Sequence, residues 1–296
     1  MSDNTWRAVT WADQVRTAEL GPDRLSYFDL GSGGIPVLFV HGLGGNSTAW
    51  LENLTAVACE RRVIAVDLPG FGRSAPTSDG ISIPGFSRTL QRFCEHLGLD
   101  EVVVVGSSLG GWVSADLTLR DPDRVHALVL TDAAGIVPTR AERFKSVAMM
   151  RGAELGAPLA PRYRQAVASR RRLRAWSLKY TIADPSRLAP DLVYMALPSA
   201  PDPGFSPAFE ACRRSWSDAW CDQLTEIACP TTIVWGERDQ LLPLRHAREW
   251  ARRIVGSELH VIPEAGHLPM VERPEVYNEL LLQFLARVAT PASVEV

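Results

Sequence analysis

Four short runs of uninterrupted apolar residues punctuate the first half of the chain: Pro36-Val37-Leu38-Phe39-Val40, Val63-Ile64-Ala65-Val66, Val102-Val103-Val104-Val105 and Ala127-Leu128-Val129-Leu130. Such runs, β-branched and without polar alternation, predict strands buried on both faces, as in a parallel sheet covered by helices. The intervals between them predict helices, over Ser47 to Val57, over the amphipathic stretch Ile83 to Leu97, and after Gly110. Alternating strands and helices imply right-handed crossovers. Ahead of the first run, Gln14 to Leu20 and Leu25 to Leu30 flank a Gly21-Pro22-Asp23 turn and predict a hairpin. From residue 136 to 222 the strand rhythm stops, giving way to helical patches broken by prolines at 158 to 161 and 198 to 207. It resumes with Pro230 to Trp235, a helix from Leu244 to Val255, a strand over Glu258 to Ile262 and a last helix from about Pro274 to Val288; the tail from Thr290 is expected to fray. The expected architecture is α/β: a mostly parallel, doubly wound sheet of about eight strands formed by residues 1–135 and 223–296, with residues 136–222 inserted as a helical cap.

Composition narrows the class without changing the architecture. The 296 residues are 46% hydrophobic and 22% charged with a formal net charge of -3, the profile of a globular protein and no whole-chain signal for nucleic acid. The first residues carry neither a basic nor an apolar targeting region, and no uncharged apolar run approaches the roughly 18 residues of a spanning helix, so a cytoplasmic protein without integral membrane association is expected. Five cysteines without C-x-x-C spacing point to buried free thiols, not to a disulfide framework or a zinc site. Residues 136–200 depart from the rest, with twelve Lys/Arg against four Asp/Glu. Within them Arg170, Arg171, Arg172 and Arg174 read either as a solvated helix face or as a site for an anionic group or surface. Trp176, Trp216 and Trp220 read as core or as lining of a pocket.

The candidate chemistry sits where the Val102 run ends, in Gly106-Ser107-Ser108-Leu109-Gly110-Gly111. In the G-x-S-x-G elbow a serine occupies a sharp strand-to-helix turn, with glycines two before and two after because side chains there collide. That spacing selects Ser108 over Ser107 as nucleophile. A serine needs a base, and the base needs an acid to fix its tautomer and stabilise its cation. Of six histidines, His267 follows a core strand in a Gly-containing loop at the strand ends where ligands of open sheets bind. His96, His246, His260 and His126 read as surface or satisfied structural residues, and His41 as a residue that shapes its loop. Asp239, just after the strand ending at Trp235, is the preferred acid; Asp132, after the Ala127 run, competes with it. Asp67 reads as structural. An oxyanion needs two donors, assigned to the backbone N–H groups of Leu43 and Leu109. No cofactor or metal is expected.

The His41-Gly42 loop, Asp67-Leu68-Pro69-Gly70-Phe71-Gly72-Arg73-Ser74, the elbow, Gly236-Glu237-Arg238-Asp239 and Gly266-His267-Leu268-Pro269 occur in an order that resembles the α/β-hydrolase family, from about residue 13 to 288. The resemblance implies Ser108 as nucleophile, His267 as base, Asp239 as acid, Leu43 and Leu109 as oxyanion donors, and 136–222 as a lid. Family members that are haloalkane dehalogenases or epoxide hydrolases carry aspartate at the elbow, which Ser108 argues against. Members that cleave carbon–carbon bonds of ring-fission products share Ser-x-Gly-Gly and the lid but carry Gly-Pro-Gly in the oxyanion loop, where this chain has Leu43-Gly44-Gly45-Asn46. The expected activity is hydrolysis of a carboxylic ester or related acyl bond of a small molecule through an acyl-enzyme. Carbon–carbon hydrolase and cofactor-free haloperoxidase-like chemistry are the alternatives, and a non-catalytic ligand-binding member is the alternative from another class. The sequence leaves the oligomeric state open.

Overall fold

The computed structural model describes residues 5–156, 160–196 and 202–289. A helical turn, α1 (Trp11–Gln14), precedes β1 (Val15–Leu20), β2 (Asp23–Leu30), β3 (Val37–Val40), α2 (Leu51–Ala58), β4 (Val63–Val66), α3 (Ile83–His96), β5 (Val102–Ser107), α4 (Leu109–Arg120) and β6 (Val125–Thr131). Six helices then follow with no strand between them among the described residues: α5 (Arg140–Gly156), α6 (Ala160–Ser169), α7 (Arg171–Ser177), α8 (Pro190–Ala196), α9 (Phe205–Ser215) and α10 (Asp218–Gln223). The chain returns to the sheet with β7 (Thr231–Gly236), α11 (Arg245–Arg253), β8 (Glu258–Ile262), α12 (Pro269–Glu272) and α13 (Pro274–Val288).

The eight strands lie in the order β1-β2-β4-β3-β5-β6-β7-β8. β2 runs antiparallel to both its neighbours, and the remaining pairs are parallel. Every residue of β3, β4, β5 and β7 is buried, which is what their unbroken apolar runs require. Alternate side chains of one strand enter two different cores. Leu38, Ile64, Val102 and Val104 meet Leu90 of α3, Trp112 of α4 and Trp250 of α11, whereas Val37, Phe39, Val103 and Val105 meet Leu54 of α2 and Leu285 of α13. The second core also takes Val167, Ile182 and Leu192 from the helical run between β6 and β7.

Several local expectations need revision. The hairpin turn is one residue shorter than predicted, because Leu20 pairs with Asp23 and Gly21 takes φ 71° at the first of two loop positions. The helix expected from Ser47 begins as a 3-10 turn over Ser47–Trp50 before α2. Not all the thiols are buried: Cys59 is exposed, because α2 buries Leu51, Leu54 and Val57 and the capping position beyond it falls off that stripe. Trp220 packs its ring 5.7 Å from that of Trp112 in the core, whereas Trp176 is 65% exposed. Arg171 and Arg172 are exposed, but Arg174 turns inward and its Nη1 donates to the Ala168 carbonyl. The prolines at 158, 198 and 201 and the tail from Thr290 lie outside the described residues. No helix among the described residues is long and apolar enough to cross a membrane.

Candidate active site

The site is assembled at the carboxyl ends of β5, β6 and β7 and in the loop after β8. Ser108, between β5 and α4, has φ 54° and ψ −118°, a conformation that disfavours any side chain. Its own backbone holds it there. The Ser108 N–H donates to the Thr131 carbonyl at the end of β6, and its carbonyl accepts from Gly111, Trp112 and Ala134 at 3.1, 3.2 and 2.9 Å. The glycine spacing has a measurable cause, since a Cβ on Gly110 would stand 2.2 Å from the Val40 carbonyl oxygen.

Three non-glycine residues among those described have positive φ: Ser108, Asp132 (φ 42°) and Glu264 (φ 59°). They follow β5, β6 and β8, so local strain gathers along this one edge of the sheet.

His267 and Asp239 meet through the loops that carry them. The turn after β7 is stitched to the β8 loop by hydrogen bonds from Glu237 N–H to the Ile262 carbonyl and from Arg238 N–H to the Ala265 carbonyl, 3.0 and 2.8 Å. His267 Nδ1 then lies 2.7 Å from Asp239 Oδ2, with both residues buried. Asp239 Oδ1 accepts from the Leu241 and Leu242 N–H groups at 2.7 and 3.0 Å. A carboxylate oxygen accepts, so in this contact Nδ1 is the nitrogen that carries the proton and Nε2 is the one left without it.

Asp132, the competing acid, is also present. It is fully buried, and its Oδ1 accepts from the Gly236 N–H at 3.0 Å. Single ligand atoms of Asp132, Asp239 and His267 lie within 4.8 Å of one another, a spacing a metal ion would also demand. Here the Asp239–His267 hydrogen bond and the backbone donors on Asp239 already account for that convergence.

Leu109 directly follows Ser108 in the elbow, and Leu43 lies in the loop after β3. The Leu109 N–H opens α4, where helix geometry supplies no acceptor, and neither it nor the Leu43 N–H is committed elsewhere among the described residues. Gly42 lets this loop approach, because a Cβ there would stand 2.9 Å from Ser108 Cβ. His41 fixes the loop from behind. Its Nε2 accepts from the Leu68 N–H at 2.9 Å, so Nδ1 carries the proton and donates to the Gly42 carbonyl at 2.8 Å. Burial holds this imidazole in its neutral form. Asp67 accepts from the Ser47 and Arg73 N–H groups and ties the neighbouring loops together.

Other histidines divide. His126 Nε2 bonds the Val288 carbonyl and His260 faces Glu258, but His246 is neither exposed nor well bonded. Its Nε2 stands 3.6 Å from Glu142 Oε2, and burial with Arg245 alongside pulls its pKa down to about 4. Glu142 of α5 lies against this part of α11.

Sequence reasoning missed Glu272. Its carboxylate accepts from the Gly266 and Leu268 N–H groups on both sides of His267, and from the Ala183 N–H in the segment after α7. The His267 N–H donates to the Thr181 carbonyl of that same segment. The available signal was an acid five residues after the histidine, at the end of a Pro-initiated helical turn.

A family model for the alpha/beta hydrolase fold matches residues 35–274. The dihydrolipoyllysine-residue acetyltransferase component of the acetoin cleaving system of Pseudomonas putida is 32% identical over 278 residues, covering 91% of this chain and 69% of that protein. A 2-hydroxy-6-oxo-2,4-heptadienoate hydrolase of Pseudomonas putida is 31% identical over 269 residues, covering 87% of this chain and 91% of that one. Among solved structures, a thermophilic esterase from Thermogutta terrifontis superposes with a TM-score of 0.74 at 27% identity, covering 94% of this chain and 100% of that one. With the strand order, the elbow and a family match running from β3 to the start of α13, the chain belongs to the alpha/beta hydrolase family.

Proposed function

We propose that the protein is a serine hydrolase that cleaves a carboxylic ester, or a related acyl bond, of a small molecule through an acyl-enzyme intermediate. The observation that carries this reading is the buried His267–Asp239 hydrogen bond, 2.7 Å long, on the same sheet edge as the strained Ser108. In this reading His267 Nε2 takes the Ser108 proton as Oγ attacks the carbonyl carbon, and Asp239 stabilises the imidazolium that forms. The Leu43 and Leu109 N–H groups receive the oxyanion, a contribution worth roughly 10² to 10³ in rate per donor. His267 then protonates the leaving alkoxide, and water attacks the acyl-enzyme by the same steps reversed. The helical run 136–222 acts as the cap above this centre. Its Gly204 N–H bonds the Gly70 carbonyl, and its Phe205 ring closes on Gly44 in the oxyanion loop, where a Cβ would stand 2.9 Å from the ring.

The likeness to the heptadienoate hydrolase favours a second reading, hydrolysis of a carbon–carbon bond in a ring-fission product, by the same residues. A panel of p-nitrophenyl acyl esters assayed beside a ring-fission dienoate separates the two by the ratio of kcat/KM values. Ser108→Ala is expected to lower ester hydrolysis by at least about 10³-fold and to abolish labelling by a fluorophosphonate probe, with the melting temperature retained. Full activity in that variant would overturn the proposal, and so would wild-type protein that neither labels nor turns over.

A further inference from the structure

The site holds one more carboxyl group than a serine–histidine–acid relay needs. Asp132 and Asp239 are buried side by side against His267, yet their surroundings differ. Asp239 receives two backbone N–H donors on Oδ1 and faces His267 Nδ1 with Oδ2. Asp132 receives a single donor, the Gly236 N–H on Oδ1, and no donor reaches its buried Oδ2.

The other titratable groups around the pair bring no compensating charge to Asp132. Glu272 approaches from α12 as a further acid. Tyr277 of α13 is neutral and bonds Thr131 Oγ1 at 2.7 Å, and His246 of α11 lies on the Asp239 side, beside Glu142 and Arg245. Two ionised carboxylates here would face each other buried from solvent, an arrangement that buried like-charge pairs avoid by retaining one proton between them. The distribution of donors says which residue retains it. A proton on Asp239 would displace a hydrogen bond already made by a backbone amide or by His267. A proton on Asp132 Oδ2 fills an empty position and turns that oxygen into a donor, and a carboxylate oxygen of Asp239 lies within 4.8 Å of one of Asp132.

We propose that Asp132 is a neutral carboxylic acid at pH 7 whose O–H donates to the Asp239 carboxylate, making Asp132 the positioning residue that holds the acid of the relay against His267. Burial, followed by the charge of Asp239, pushes the Asp132 carboxyl well above the usual carboxylate range, in the same direction. The left-handed backbone at Asp132, φ 42°, is a conformation in which Asp and Asn are better tolerated than other side chains.

The test has two arms, of which only the second rests on the hydrolase reading. In the first, the infrared difference between wild type and Asp132→Asn at pH 7 is expected to contain the carbonyl band of a neutral carboxylic acid. Its absence would show that Asp132 is ionised and end the proposal whatever the enzyme does. In the second, Asp132→Asn replaces the O–H by an amide N–H donor, so kcat stays within about threefold of wild type and the acid limb of the pH–rate profile does not move. Asp132→Leu cannot donate, and loss of a hydrogen bond to a charged group predicts a kcat about 10- to 100-fold lower. Asp239→Asn falls further still. An acid limb displaced to lower pH by a unit or more in Asp132→Asn would reveal a second negative charge acting on His267 and overturn the proposal. A larger loss in Asp132→Asn than in Asp239→Asn would reverse the two roles.

Discussion

At Ser108, φ 54° and ψ −118° place a side chain where glycine alone is comfortable, a strain of about 1–3 kcal/mol that the hydrogen bonds to Thr131, Gly111, Trp112 and Ala134 hold in place. The strain belongs to the Cβ, not to the hydroxyl. Ser108→Gly should therefore be more stable than Ser108→Ala by about 1 kcal/mol, after allowing for the greater freedom of glycine in the unfolded chain, although both lack the hydroxyl. Urea unfolding of the two variants measures the difference, and an alanine variant as stable as the glycine variant would refute the strain. Much at this scale was legible in the sequence. The glycines at 106 and 110 pick out Ser108 because they answer a steric requirement of the turn, which leaves its mark in residue type. The pairing of Asp132 with Asp239 was not legible in the same way. Each follows a strand, and either could have been read as the acid; what separates them is a count of donors on each oxygen, fixed by backbone groups that any sequence supplies.

Among the elements, the strands were the most legible because burial on both faces demands continuous apolar runs and tolerates little else. The helices between β6 and β7 were harder, since their partners are distant in sequence. Helix α5 shows both situations. Thr139 and Glu142 form a reciprocal capping box, with the Thr139 N–H donating to Glu142 Oε2 at 2.7 Å and the Glu142 N–H to Thr139 Oγ1 at 3.3 Å, a spacing visible in the sequence. The same carboxylate also receives Arg245 from α11, 103 residues away, and Lys145 reaches the Gln240 carbonyl beside it. This joins the start of α5 to the turn that carries Asp239. Burial alone would push the Glu142 carboxyl up, but Arg245 and then the Thr139 N–H pull it down to about 2. A folded-state value below the unfolded 4.5 means that the stabilisation is complete above that pH and is lost as pH falls toward 2. The pair is partly solvated, so screening reduces its contribution to about 1 kcal/mol. Glu142→Gln should thus unfold about 2–4 °C below wild type at pH 7, with the gap narrowing steadily below pH 4.5. Differential scanning calorimetry at a series of pH values tests this, and a gap independent of pH would mean that packing, not charge, makes the joint.

Over the whole molecule, the sheet edge and the helices between β6 and β7 meet at a second seam, opposite the Glu142 joint. Asp202 and Gly204, just ahead of α9, lie on the loop after β4: Gly72 N–H donates to Asp202 Oδ1 at 3.1 Å and Gly204 N–H to the Gly70 carbonyl at 2.9 Å. Both donors of the seam are backbone amides, which explains why composition gave no sign of it. It contains a carboxyl with a hydrogen-bond donor but no cation. Burial, helped by the charge of Asp67 and opposed by the Gly72 N–H, raises Asp202 to about 6. A folded-state value raised above the unfolded 3.8 has the opposite sign from Glu142: the contribution to stability is complete below pH 3.8 and is lost as pH rises through 6. Above that point the seam carries an ionised Asp202 facing Asp67, and the two joints between the sheet and the helices inserted after β6 therefore weaken at opposite ends of the pH range. Asp202→Asn keeps the oxygen that accepts from Gly72 and removes the charge. It is expected to melt about 2–4 °C above wild type at pH 8, with the advantage shrinking through pH 6 and gone by pH 4; the half-exposed position limits the gain to about 1 kcal/mol. Hydrogen exchange at Gly72 and Gly204 reports the seam directly, because both amides are donors across it, and their protection in wild type should fall between pH 5 and pH 7 once intrinsic exchange is accounted for. Equal melting temperatures for the two proteins at pH 8, or protection that does not change across that window, would show that Asp202 does not control the joint.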